Sequence, residues 1–223
     1  MSKHALELLA VDLDGTLVDS APDIAYCVDR ALEAAGFEPP GEALARVWIG
    51  DGLEQLIWRA LAHAGAPRDD GIHAEAMRAF LACYRENLFV RSALYPGAVD
   101  VLDLALEHGI RLCCITNKRE SLSQPLLEHA GLLDRFELLL GGDTLPEKKP
   151  SPLPLRHAAS TLAVDVARCT LLGDSHQDLR AARAAGYGFI WAAYGYGKVD
   201  PAERAPFPQL AALADLPALL GLR

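Results

Sequence analysis

The sequence predicts an α/β protein, a parallel sheet covered by helices on both faces, with a small all-helical segment inserted after its first strand. Two observations carry this. In the second half of the chain, short apolar runs alternate with helical segments, and most runs end in glycine or polar turn residues. Between Ser20 and about Val90 the alternation stops, and helical periodicity recurs without a convincing strand.

Leu6 to Leu13 reads as a fully buried strand that stops at Asp14-Gly15-Thr16. Helices are expected over 21–35, 52–63 and 74–88. In the second of these, Leu53, Leu56, Ile57 and Ala60 form one apolar stripe. Tyr95-Pro96-Gly97 marks the return to the sheet. Strands follow at 110–116, 136–140, 169–172 and 187–192, interleaved with helices at 121–130, 153–162, 178–185 and 210–220. Gly131 and Gly186 stand where a helix ends in a left-handed residue. The expected division is a core of 1–19 plus 91–223 and a helical insertion of 20–90.

Of the 223 residues, 51% are hydrophobic and 23% charged, the balance of a globular chain that buries a real core. The net charge of -9 argues against nucleic acid or an anionic membrane as partner. It leaves room for a small phosphorylated metabolite, because a local pocket and a metal reverse the field. The five cysteines (Cys27, Cys83, Cys113, Cys114 and Cys169) show neither a C-x-x-C pair nor metal-ligand spacing, so reduced thiols are expected. Met1-Ser2-Lys3-His4 runs directly into the first strand, and no apolar run approaches the roughly 20 residues of a membrane span. A cytoplasmic protein, monomer or homodimer, is the expectation.

In a parallel sheet, ligands sit beyond the carboxyl ends of the strands. Here those ends carry Asp12 and Asp14, then Thr116-Asn117-Lys118, then the loop to Lys148-Lys149-Pro150, then Gly173-Asp174-Ser175 with Asp178 close behind. Two aspartates one residue apart point the same way if the backbone stays extended. With Asp174 they form a cluster that calls for a cation, and oxygen-only ligation suits Mg2+. One carboxylate is then placed to attack phosphorus and the other to move the proton. Lys149 and Thr116 are placed to hold phosphoryl oxygens, and Gly15 admits the backbone to the phosphate.

These four motifs, in this order, resemble those of the haloacid dehalogenase superfamily. The run Asp12-Leu13-Asp14-Gly15-Thr16-Leu17-Val18-Asp19-Ser20 is similar to the first, Ile115-Thr116-Asn117-Lys118 to the second, Lys149-Pro150 to the third and Gly173-Asp174-Ser175 with Asp178 to the fourth. The resemblance implies a Rossmann-like core with a type 1 helical cap and a Mg2+-dependent phosphatase. It implies Asp12 as nucleophile and Asp14 as acid/base with its carbonyl on the metal. Asp174 is implied as a further metal ligand, and Asp178 as a partner of metal water or of the lysine. Softer matches resemble the bacterial phosphoglycolate phosphatase branch: Gly141-Gly142-Asp143-Thr144-Leu145-Pro146, Tyr95-Pro96-Gly97, Tyr194-Gly195-Tyr196-Gly197 and Trp48-Ile49-Gly50-Asp51-Gly52. Asp51 and Ser151 depart from that branch, which carries Asn and Asp there.

Candidate substrate contacts are Gly15, Thr16, Asn117, Lys118, Arg46 and Gly50, with the Arg46 guanidinium matched to a substrate carboxylate. Within enzymes, a sugar phosphatase or a hexose-phosphate mutase is the alternative. Residues 21–94 contain no lysine, which disfavours a Schiff-base phosphonate hydrolase. In another class stands a phospho-accepting regulatory domain, which gives no reason for the helical insertion.

Overall fold

A computed structural model describes residues 6–197, 199–204 and 206–222. The chain opens with β1 (Leu8–Val11), β2 (Val18–Asp19), α1 (Ala21–Ala34), α2 (Glu42–Trp48), α3 (Leu53–His63) and α4 (Asp70–Glu86). It continues through β3 (Ala93–Leu94), α5 (Ala98–Glu107), β4 (Arg111–Ile115), α6 (Glu120–His129), β5 (Leu138–Leu140) and α7 (Leu153–Thr161). It ends with β6 (Cys169–Gly173), α8 (His176–Ala185), β7 (Gly188–Ala192), α9 (Pro201–Arg204), β8 (Gln209–Leu210) and α10 (Leu216–Leu220).

The large sheet runs β5-β4-β1-β6-β7-β8, and every pair in it is parallel. β1 lies between β4 and β6, with Leu9 opposite both Leu112 and Thr170. Its four residues are completely buried because helices cover both faces, which is why it reads as an unbroken apolar run. The pleat divides them: Leu9 and Val11 join one core, Leu8 and Ala10 the other. The first core continues into the inserted helices. There α1 buries Ile24, Val28, Ala31 and Leu32, while α4 buries Ala76, Met77, Phe80 and Tyr84, both at helical spacing. All five cysteines are free thiols, with the Cys27 and Cys83 sulfurs 2.7 Å apart.

Several elements differ from expectation. β1 is shorter than 6–13, because the chain turns at residues 13–18, where the amides of Leu17 and Val18 both donate to the Leu13 carbonyl. The expected helix 210–220 is instead β8, a 3₁₀ turn and α10. Leu210 pairs with Ala192 at the sheet edge, and Pro217, which has no N–H, sits in the first turn of a new helix. Three helices (α2, α5 and the four-residue α9) and a ribbon were not expected. α2 buries only Ala45, so it presents no stripe, whereas α5 does present one in Val101, Leu102 and Ala105. β2 and β3 pair antiparallel, Val18 opposite Leu94, so the chain leaves for the helices and returns along adjacent paths.

Asp23, fully buried at the start of α1, ties that return path down. Its carboxylate accepts from the amides of Val90, Arg91 and Ser92 and from the Ser92 hydroxyl at 2.6–3.0 Å. Burial pushes this carboxyl up, but the Ser92 and backbone donors outweigh it and hold it below the ordinary value of 3.8. Its stabilisation is therefore present above pH 4 and lost as the pH falls further. Asp23→Ala leaves these donors unpaired and should cost about 3 kcal/mol. In urea this reads as a lower midpoint with an unchanged slope.

Candidate active site

The strand order gathers the motif residues at one edge. Asp12 and Asp14 follow β1, Thr116, Asn117 and Lys118 follow β4, and Asp174 follows β6, with Asp178 in the first turn of α8. Lys149 reaches in from the loop after β5. Its Nζ donates to Asp12 Oδ1 at 2.7 Å and to the Ile115 carbonyl at 2.5 Å, and lies 2.7 Å from Asp178 Oδ1. Burial lowers the proton affinity of this amine, but Asp12 and Asp178 more than offset it and keep the ammonium charged. Asp178 also caps α8: its Oδ2 accepts from the Ser175 amide and hydroxyl while Ser175 Oγ accepts from the Asp178 amide. Gly173 is required there, because a Cβ would overlap the Asp178 carboxyl.

Among the described residues, Asp12, Asp174 and Asp178 converge, each offering a carboxylate oxygen within 4.8 Å of the others. Burial raises the Asp12 carboxyl to about 7; Lys149 pulls it down and Asp178 and Asp14 push it up. Asp174 is raised well above the carboxylate range by burial, then by Asp12 and Asp178, although the amides of Tyr196 and Gly197 donate to its Oδ2 at 2.7 and 2.9 Å. One ammonium cannot balance three buried carboxylates, so without a cation protons make up the difference. An oxygen-only donor set with that deficit fits a hard divalent cation. The Asp14 carboxylate is not one of this group. It accepts from Ser20 Oγ at 2.5 Å and from Lys118 Nζ at 3.0 Å on each oxygen.

A cavity of about 620 Å³, counting its open mouth, lies against this edge. Its polar wall carries Asp12, Asp14, Thr116, Asn117, Lys118, Lys149 and Asp174; its apolar wall carries Ile49, Leu53, Leu56, Phe80 and Tyr84 from the inserted helices. Gly50 is on the wall, and its carbonyl accepts from Asn117 Nδ2 at 2.9 Å. The same amide nitrogen donates to the Lys149 carbonyl, so Asn117 braces the site, while its Oδ1 has no hydrogen-bond partner. Thr116 Oγ1 accepts from the Lys118 amide at 3.2 Å. Lys118 lies 4.8 Å from the centre of the Tyr84 ring.

Three expected substrate contacts are not on the cavity wall. Gly15, at φ +85°, packs so closely on Asp174 that no Cβ fits, and Thr16 is fully buried with its hydroxyl unpartnered. Arg46 pairs instead with Asp19 at 2.9 Å and Glu42 at 2.7 Å and lies over the Tyr196 ring. Three contributors were not anticipated. Ser20 holds Asp14, and Tyr84 closes the wall behind Lys118. Arg119 lines the cavity and forms an ion pair with Glu54 of α3. Ser20 stands inside the first motif, and Arg119 directly follows the second, which was the signal available for each.

The turn before α3 bridges to the sheet edge. Besides the Asn117 bond to Gly50, Lys148 Nζ donates to the Asp51 carbonyl at 2.8 Å, and Gln177 donates to the Asp51 carboxylate. No helix among the described residues is long and apolar enough to cross a membrane.

The chain is 42% identical to phosphoglycolate phosphatase of Nitrosococcus oceani over 217 residues, 96% of each chain. It is 43% identical to phosphoglycolate phosphatase of Chromobacterium violaceum over 195 residues, 87% of each chain. The fold is similar to the crystal structure of a predicted phosphoglycolate phosphatase from Haemophilus somnus. That likeness has a TM-score of 0.91 at 31% identity and covers 98% of this chain and 99% of the other. Residues 6–186 match the haloacid dehalogenase-like hydrolases, and the chain belongs to that family of enzymes.

Proposed function

We propose that this hydrolase is a phosphatase for small phosphomonoesters, 2-phosphoglycolate first, working through an aspartyl-phosphate on Asp12. The observation that most supports this is the shared Lys149 ammonium, which holds the Asp12 carboxylate at the cavity wall and pins it between Ile115 and Asp178. The relatives that span most of the chain carry the name phosphoglycolate phosphatase, which points to the substrate.

In the proposed reaction a carboxylate oxygen of Asp12 attacks phosphorus while Thr116 and Lys149 hold non-bridging oxygens. Asp14, oriented by Ser20 and Lys118, gives a proton to the departing glycolate oxygen. It then takes one from the water that cleaves the aspartyl-phosphate. Asp12, Asp174 and Asp178, with the Asp14 carbonyl, would hold Mg2+, which would neutralise charge on the phosphoryl group and the carboxylates. Residues 20–90 act as a cap whose apolar side chains exclude water from the intermediate.

Asp12→Asn should abolish turnover while phosphate esters still bind in Mg2+, as measured by calorimetry; near-normal activity overturns the nucleophile assignment. Asp14→Asn should fail most with poor leaving groups, and an equal loss with p-nitrophenyl phosphate argues against a proton donor there. Across a panel of phosphate esters, phosphoglycolate should show the highest kcat/KM, and a flat profile rejects that substrate.

The metal has its own signature. The folded Asp12 carboxyl, near 7, binds a proton that the unfolded chain, near 3.8, has already released. Metal-free stability therefore falls as pH rises between those values. Mg2+ takes the proton's place, so it should raise the thermal midpoint by more at pH 8 than at pH 5. Asp174→Asn should shrink that difference.

A further inference from the structure

We propose that Arg119 is the residue that binds the carboxylate of the substrate, exchanging Glu54 for it. This rests on the phosphoglycolate reading and names its specificity determinant.

Three cationic residues line the cavity among the described residues: Lys118, Arg119 and Lys149. Lys149 is 2% exposed and committed to Asp12 and Asp178. Lys118 is 7% exposed and committed to both oxygens of Asp14. Moving either strips a catalytic aspartate of its partner. Arg119 is different. It is 33% exposed, and its partner Glu54, 45% exposed, belongs to α3 and takes no part in the proposed chemistry. A substrate carboxylate replaces the Glu54 carboxylate group for group, so the guanidinium stays paired throughout.

Reach and environment agree with this. Thr116, which holds the phosphoryl group in the proposed reaction, and Arg119 stand on one short turn between β4 and α6. In 2-phosphoglycolate only an ester oxygen and a methylene separate phosphorus from the carboxylate. Leu53 and Leu56 of α3, the helix that carries Glu54, are on the same wall, so the exchange takes place beside apolar surface. A fork-on-carboxylate pair is strengthened there. The released Glu54 swings toward solvent.

The alternative is that Glu54 and Arg119 are simply a latch joining α3 to the sheet edge. Two variants separate these readings, using kcat/KM for 2-phosphoglycolate divided by kcat/KM for ethyl phosphate, which has no carboxylate. Arg119→Gln should lower that ratio about 10- to 100-fold, mainly through KM for phosphoglycolate. Glu54→Gln removes the competitor and should raise the ratio. A latch predicts that both variants impair both substrates alike, and that result overturns the proposal. If wild type prefers phosphoglycolate and Arg119→Gln keeps the preference, the carboxylate is held elsewhere and the proposal is wrong. If wild type shows no preference, the phosphoglycolate reading fails and takes this inference with it. Both side chains are a third or more exposed, so folding survives either change, and retained turnover of ethyl phosphate reports it directly.

Discussion

The buried ammonium of Lys149 is the contact around which the strand ends are arranged. It joins three elements that are far apart in sequence: Asp12 after β1, Ile115 at the end of β4 and Asp178 at the start of α8. Without it, the carboxylates that a parallel sheet delivers to its C-terminal edge would face one another in a low dielectric. β1 is the natural centre, since it is hydrogen-bonded on both sides and buried on both faces. Residues that follow it are therefore positioned by the whole sheet rather than by a loop.

The lysine does not balance the site. Asp174 and Asp12 are both pushed toward the protonated state by burial, so their ionised forms are a standing cost to the fold. The chain carries that cost where chemistry needs it and compensates elsewhere. Asp174 receives two amides from the Tyr196-Gly197 turn, and Gly15 and Gly173 let backbone approach the carboxyls without a side chain between. In the proposed reaction a cation offsets this charge and draws in the negative phosphoryl group.

The inserted helices supply what the sheet edge lacks. The edge offers charge and donors, whereas the insertion offers the apolar wall of Leu53, Leu56 and Phe80 together with Gly50 and Gly52 of the turn before α3. The turn and Glu54 of α3 touch the sheet edge through Asn117, Lys148, Gln177 and Arg119, so in the proposed function discrimination between substrates falls at the contact between the two parts. The phosphate end of the cavity is common to any ester that the proposed chemistry cleaves. On our proposal, what lies beyond it is decided by Arg119 and Glu54.

The sequence alone determined the parallel core, because its strands are buried on both faces and read as plain apolar runs between turn residues. It also determined the acidic and basic residues at the strand ends, since the reaction needs particular side chains at short, local spacings such as Asp12 and Asp14. Where the expectation went astray, the deciding contacts were long-range. The expected helix over 210–220 lost its start to a strand because Ala192 offered Leu210 a sheet edge. α2 escaped notice because its burial rests on Ala45 alone. Arg119 lines the cavity and Arg46 does not, and no periodicity records where their partners Glu54, Asp19 and Glu42 lie in space. Lys149 and Asp12, 137 residues apart, meet only because β5, β4 and β1 stack in that order. Tertiary structure decided the pairings, because a charge finds its partner by distance in three dimensions and not along the chain.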